Sequence, residues 1–158
     1  MVHARSRIDR RFRLGASVEA AWALLRDVPR WGALFPGVAS VGPFDAGGQP
    51  GESFVWRMAP MGPPGGRVET VYACRYAADP EAHTLTWTPV EGVGNARFAG
   101  SCALWADGAA TAGRLQLDAT LQIPAPSFVR ALVEPAVALE MGRMTDTFLG
   151  RLGDVLRM

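Results

Sequence analysis

From Ser127 to Arg157 apolar residues recur at helical spacing: Val129, Leu132, Val133, Val137, Met141, Met144, Phe148, Leu152 and Val155. Three-to-four spacing of this kind makes one apolar face on a long helix. Glu134, Arg143, Asp146, Arg151, Asp154 and Arg157 fall mainly on its other sides. A helix of about thirty residues runs roughly 45 Å at 1.5 Å per residue. Its apolar face needs a cover of similar length, and the rest of the chain must supply it.

The residues upstream offer strands. Ser6, Ile8, Arg10, Phe12 and Leu14 share one face of a predicted strand over 5–14, and Arg5, Arg7, Asp9, Arg11 and Arg13 share the other. Ser17 stands where a helix N-cap belongs, with Glu19 in the first turn and Val18, Ala21, Trp22 and Leu25 at helical spacing. Pro29 disfavours helical geometry at Val28 and ends that helix. A second short helix is predicted over roughly 29–35. Strands are then predicted at 38–44, 52–59, 67–77, 83–89, 95–106 and 111–123, divided by turns rich in Gly, Pro and Asp. In the last strand Leu115, Leu117, Ala119, Leu121 and Ile123 oppose Arg114, Gln116, Asp118, Thr120 and Gln122. One dry face and one wet face indicate an antiparallel sheet. Short connections make sequential strands neighbours, and a strongly twisted sheet of about seven strands curls into a trough for the helix. The expected fold is α+β: a curved antiparallel sheet wrapped around a long C-terminal helix, with two short helices between strands one and two.

Composition limits the function classes. The chain has 158 residues, 49% apolar and 20% charged, which suits one globular domain over 1–158. A net charge of +1 gives no global attraction to nucleic acid. All sixteen basic residues are arginine, read as a compositional bias. Cys74 and Cys102 lie in separate strands, without metal-ligand spacing, and are expected to be buried free thiols. No apolar run is long enough to cross a membrane and no secretory signal is evident, so a cytoplasmic monomer or homodimer is the expectation.

Ser17-Val-Glu-Ala-Ala-Trp-Ala-Leu-Leu-Arg-Asp27, then Trp31, then Leu34-Phe35-Pro36-Gly37-Val38 resembles the opening of the START-like, or SRPBCC, superfamily. There a capped helix bearing a Trp is followed by an aspartate, another Trp and a Pro-Gly-Val entering strand two. The order of elements is similar over essentially the whole chain. The resemblance implies a helix-grip fold with a cavity between sheet and terminal helix for an apolar or amphipathic small molecule. Polyketide cyclase-like, coenzyme Q-binding and lipid-transfer proteins share that fold, so fold does not fix function.

Alternation, with that cavity in view, selects the wall residues Trp56, Met58, Tyr72, Tyr76, Trp87, Phe98, Cys102 and Leu117 from the sheet and Val137, Met141 and Met144 from the helix. Phe35, Pro36 and Met61 are the expected mouth. Without a cavity the same residues simply fill a core. A buried Tyr72 or Tyr76 phenol needs a partner, either a ligand oxygen or a backbone group. Arg10, on the apolar face of its strand, either pairs with a carboxylate such as Glu140 or reaches out to water. The stripe Arg5, Arg7, Arg11 and Arg13 either contacts phosphates or is a solvated face. Pro135 and Gly142 weaken the terminal helix; the glycine either packs closely against an aromatic ring or lets the helix shift. No nucleophile–base set, paired inward carboxylates, catalytic residue, metal site or cofactor is indicated, and His3 and His83 read as surface residues. The leading expectation is binding or carriage of a lipid, quinone or polyketide-like molecule. The alternatives are a cyclase/dehydratase-like enzyme using Tyr72 or Tyr76, or an interaction module using the arginine stripe.

Overall fold

A computed structural model describes residues 1–45, 52–60 and 67–157. Strand β1 (Val2–Leu14) leads into helix α1 (Val18–Leu25), a 3-10 turn (Val28–Arg30) and helix α2 (Trp31–Leu34). Six strands follow: β2 (Val38–Pro43), β3 (Ser53–Met58), β4 (Val71–Asp79), β5 (Thr84–Pro89), β6 (Ala96–Asp107) and β7 (Ala110–Ile123). A second 3-10 turn (Ser127–Val129) opens helix α3 (Arg130–Leu156). The sheet order is β1-β7-β6-β5-β4-β3-β2, with every neighbouring pair antiparallel. This is the helix-grip arrangement the periodicities predict. β1 begins at Val2, which is buried, so His3 lies within the sheet opposite Gln122.

Local chemistry accounts for the joints. The Ser17 hydroxyl accepts from the Ala20 amide at 3.2 Å and caps α1. Trp31 donates its indole N–H to the Leu25 carbonyl at 2.9 Å, locking α2 onto the end of α1. Arg151 of α3 donates to the Leu34 carbonyl at 3.2 Å, and Phe35 stacks on Phe148 at 4.2 Å between ring centres. The short helices are thereby tied to the long one.

Burial divides α3 in two. Met141, Met144, Thr145, Phe148 and Leu152 are buried, whereas Leu132 and Leu139 are 77% and 78% exposed, as is Phe128 just ahead at 85%. The C-terminal half docks into the trough. The N-terminal half, containing Pro135, stands over the open end of the sheet. Periodicity predicts one continuous apolar face but not this change of surroundings along it.

The outer face of β1 carries ion pairs. Arg5 and Arg7 both reach Asp118, Arg13 reaches Asp107, and Arg114 reaches Asp9. These arginines hold the Asp9 and Asp118 carboxyls below the usual carboxylate range. Arg10 pairs with Asp146 of α3 at 2.8 Å while remaining 38% exposed. Its partner is therefore not Glu140, whose carboxylate is held by Arg143 with an Nε–Oε2 distance of 3.0 Å. The tip of Arg10 also lies over Gly142, so that glycine packs against a guanidinium and not against an aromatic ring.

Candidate ligand cavity

A cavity of about 420 Å³ lies between the sheet and the N-terminal half of α3. Its walls alternate out of the strands as the pleat requires. β3 contributes Trp56 and Met58; β4 contributes Tyr72, Cys74 and Tyr76; β5, β6 and β7 contribute Trp87, Phe98 and Leu117. Leu121 and Ile123 continue the β7 wall toward the mouth, beside Val68 and Thr70 of the segment preceding β4. Across from them stand Leu132, Val133, Ala136, Val137, Glu140, Met141 and Met144 of α3. Phe35 and Val38 close one side.

Trp31 forms the floor. It is 3% exposed and meets Trp87 and Tyr76 edge to face at 5.5 and 6.0 Å, and Phe148 at 5.3 Å. The buried core continues through Leu25, Leu85, Cys102, Leu115 and Leu152, none of which lines the cavity. Trp31 belongs to both the core and the wall.

Most of the residues selected from sequence meet here: Phe35, Trp56, Met58, Tyr72, Tyr76, Trp87, Phe98, Leu117, Val137, Met141 and Met144 line one space. Cys102 does not. It shares a strand face with Phe98, but α1 also packs against β6 and the thiol is fully buried in the core. Pro36 is only half-buried and is not part of the wall, although Phe35 and Val38 on either side of the turn at Gly37 (φ +77°) are. Met61 lies outside the described residues. Alternation alone does not select Trp31 or Glu140. Trp31 had a different signal, its place in the superfamily's opening pattern, whereas a carboxylate on the helix gives no sign of facing a dry space.

The polar groups of the wall differ in how they are satisfied. The Tyr76 hydroxyl accepts from the Trp56 indole N–H at 2.9 Å. The Cys74 thiol donates to the Phe98 carbonyl at 3.3 Å. Burial pushes the Cys74 thiol up to about 12 and keeps both phenols well above their ordinary value. The Tyr72 ring stacks parallel to Trp56 at 6.1 Å and tilts against Phe98 at 4.0 Å. Its hydroxyl has no hydrogen-bond partner among the described residues. A partner for Tyr76 was expected from backbone or ligand; it is an indole on the neighbouring strand. Among the described residues no cluster of His, Cys, Asp and Glu could hold a metal ion, and no helix is long and apolar enough to cross a membrane.

Comparison with known proteins agrees with this architecture. No curated protein sequence matches the chain. A solved structure from Thermus thermophilus is similar with a TM-score of 0.66 and 19% identity, covering 94% of this chain and 96% of the other. The ZhuI aromatase/cyclase from a Streptomyces species is similar with a TM-score of 0.63 and 16% identity, covering 94% of this chain and 93% of that one. A START superfamily protein from Mycobacterium smegmatis gives 0.65 and 12% identity, covering 94% and 98%. At these identities the likeness is one of fold. Residues 5–157 match the family described as polyketide cyclase / dehydrase and lipid transport. With that match across nearly its whole length and a helix-grip fold around an apolar cavity, shared with a START superfamily protein, the chain belongs to this family.

Proposed function

We propose that residues 1–158 form one ligand-binding domain that holds and carries an apolar or amphipathic small molecule in the cavity under α3. The observation that carries this reading is the wall. It encloses about 420 Å³, within the usual range for small-molecule sites, and almost every side chain facing it is apolar. A protein interior is normally packed to crystal density, so a space of this size lined by indoles, phenols and thioethers is most simply a place for a guest.

A second reading, a cyclase/dehydratase-like enzyme, is favoured by two observations. The Tyr72 hydroxyl is free to donate, and one structural neighbour is an aromatase/cyclase. Against it, among the described residues no imidazole lines the cavity, and the one carboxylate that does, Glu140, is engaged by Arg143. General acid–base catalysis needs a group that changes its protonation state in reach of the substrate. The arginine stripe gives little support to a phosphate-binding role, since Arg5, Arg7 and Arg13 each face an aspartate.

Native mass spectrometry of the protein purified from its own host tests the proposal. A co-purifying apolar molecule is the expected result. A reproducibly empty protein, together with no rise in melting temperature across a panel of lipids, quinones and polycyclic ketones, would overturn it.

A further inference from the structure

The wall also limits the chemical class of the guest, an inference that rests on the binding reading above. Among the described residues, three that bear hydroxyls line the cavity: Thr70, Tyr72 and Tyr76. Tyr76 accepts from the Trp56 indole and its own hydroxyl is within hydrogen-bond reach of the Cys74 sulfur, so Tyr72 is the phenol with no partner among the described residues. Among the described residues no arginine or histidine lines the space, and the single charged one that does is the acidic Glu140. A carboxylate or phosphate drawn inside would leave water without meeting a counter-ion, which is strongly unfavourable. Around Tyr72 the neighbours are flat: Trp56 lies parallel to it and Phe98 leans on it. Planar rings gain offset-stacked or edge-to-face contacts in such surroundings.

We infer that the cavity selects an uncharged, ring-bearing molecule with a carbonyl-type oxygen, and that the Tyr72 hydroxyl donates the hydrogen bond that orients it. Fatty acids and phospholipids fall outside this class, because their anionic heads have no cation to meet. Thr70 stands two residues before Tyr72, nearer the end of the wall where Leu121 and Ile123 lie, and its side chain is the second point that an oxygen-bearing edge can reach.

Three naphthalene probes of nearly equal shape separate these ideas. They are 2-acetylnaphthalene, its hydrocarbon counterpart 2-ethylnaphthalene, and 2-naphthoate. Binding is measured by equilibrium dialysis to the full chain and to Tyr72→Phe, with thermal melting of both proteins as the check on folding. The variant keeps the ring contacts and loses only an unpartnered hydroxyl. The ketone is expected to bind the native chain and to weaken about threefold to tenfold in Tyr72→Phe, the size of one neutral hydrogen bond. The hydrocarbon is expected to bind both proteins equally, and 2-naphthoate to bind at least tenfold more weakly than the ketone. Ketone affinity within twofold in the two proteins overturns the role of Tyr72. Naphthoate binding as tightly as the ketone to the native chain overturns the exclusion of anions, whatever the variant does. If the two neutral probes bind and only these contrasts fail, the binding reading stands alone. If neither neutral probe binds the native chain, this inference falls, and the binding reading falls with it if the host-purified protein is also empty.

Discussion

Two tyrosines four residues apart on β4 have opposite structural duties. Tyr76 satisfies the Trp56 indole N–H, so Tyr76→Phe strands a buried donor and should lower stability by about 1–3 kcal/mol in urea unfolding. Tyr72→Phe should leave the same unfolding curve within about 0.5 kcal/mol, because its hydroxyl has no partner among the described residues. The two thiols make a separate prediction. Burial raises Cys74 and Cys102 to about 12, well above their value in an unfolded chain. Well below the ordinary thiol range both states keep the protons and no difference arises. Above it the unfolded chain releases them while the folded chain cannot, so stability falls as pH rises toward 12. Each thiol then costs up to a tenfold loss in the folding equilibrium per pH unit. Urea midpoints at pH 8 and pH 10 should diverge, and the divergence should shrink in Cys74→Ala/Cys102→Ala. An unchanged divergence would assign it to other groups. Glycines differ in the same residue-by-residue way. A Cβ at Gly100 would lie 2.5 Å from both the Trp87 ring and the Gln116 carbonyl oxygen, so Gly100→Ala should destabilise by about 1–3 kcal/mol. At Gly142 the nearest atom is the mobile tip of Arg10 at 3.1 Å, so Gly142→Ala should raise stability by up to about 1 kcal/mol through helix propensity.

Strands and helices were legible from periodicity because each buries one face, and a period of two or of 3.6 survives in sequence whatever the neighbours are. β7 shows this: Leu115, Leu117 and Ala119 are buried as their alternation demands. What periodicity does not contain is the identity of the opposing surface. Phe98 and Cys102 lie on one face of β6, roughly 13 Å apart at 3.3 Å per residue, yet one lines the cavity and the other is fully buried in the core. The same holds along α3, where Leu132 and Leu152 fit one apolar pattern although the first is 77% exposed and the second fully buried. Arg10 is a third case. Its position on an apolar face was readable, but its pairing with Asp146 depends on the angle at which α3 crosses β1. The edge of β1 shows a further contact of this kind, for the Arg5 amide donates to the Glu134 carboxylate at 3.3 Å across 129 positions of sequence.

The molecule as a whole combines a packed end with a hollow end, and Trp31 belongs to both. Filling the hollow end should cost the fold little. Val137 faces the cavity, so Val137→Trp should keep the melting temperature within a few degrees while reducing 2-acetylnaphthalene binding at least tenfold. Retained binding would mean that the probe sits elsewhere. The uneven burial of α3 has a kinetic counterpart. Around Phe148 and Leu152 the backbone amides can exchange with deuterium only when the core itself comes apart. Between Leu132 and Leu139 few contacts oppose a local opening, and Pro135 removes one of the bonds that would resist it. Amides there should exchange orders of magnitude sooner in the empty protein and slow when a guest is bound. Uniform exchange along the helix would contradict this. In space α3 is one helix; in time it should behave as two, the slower belonging to the fold and the faster to whatever enters beneath it.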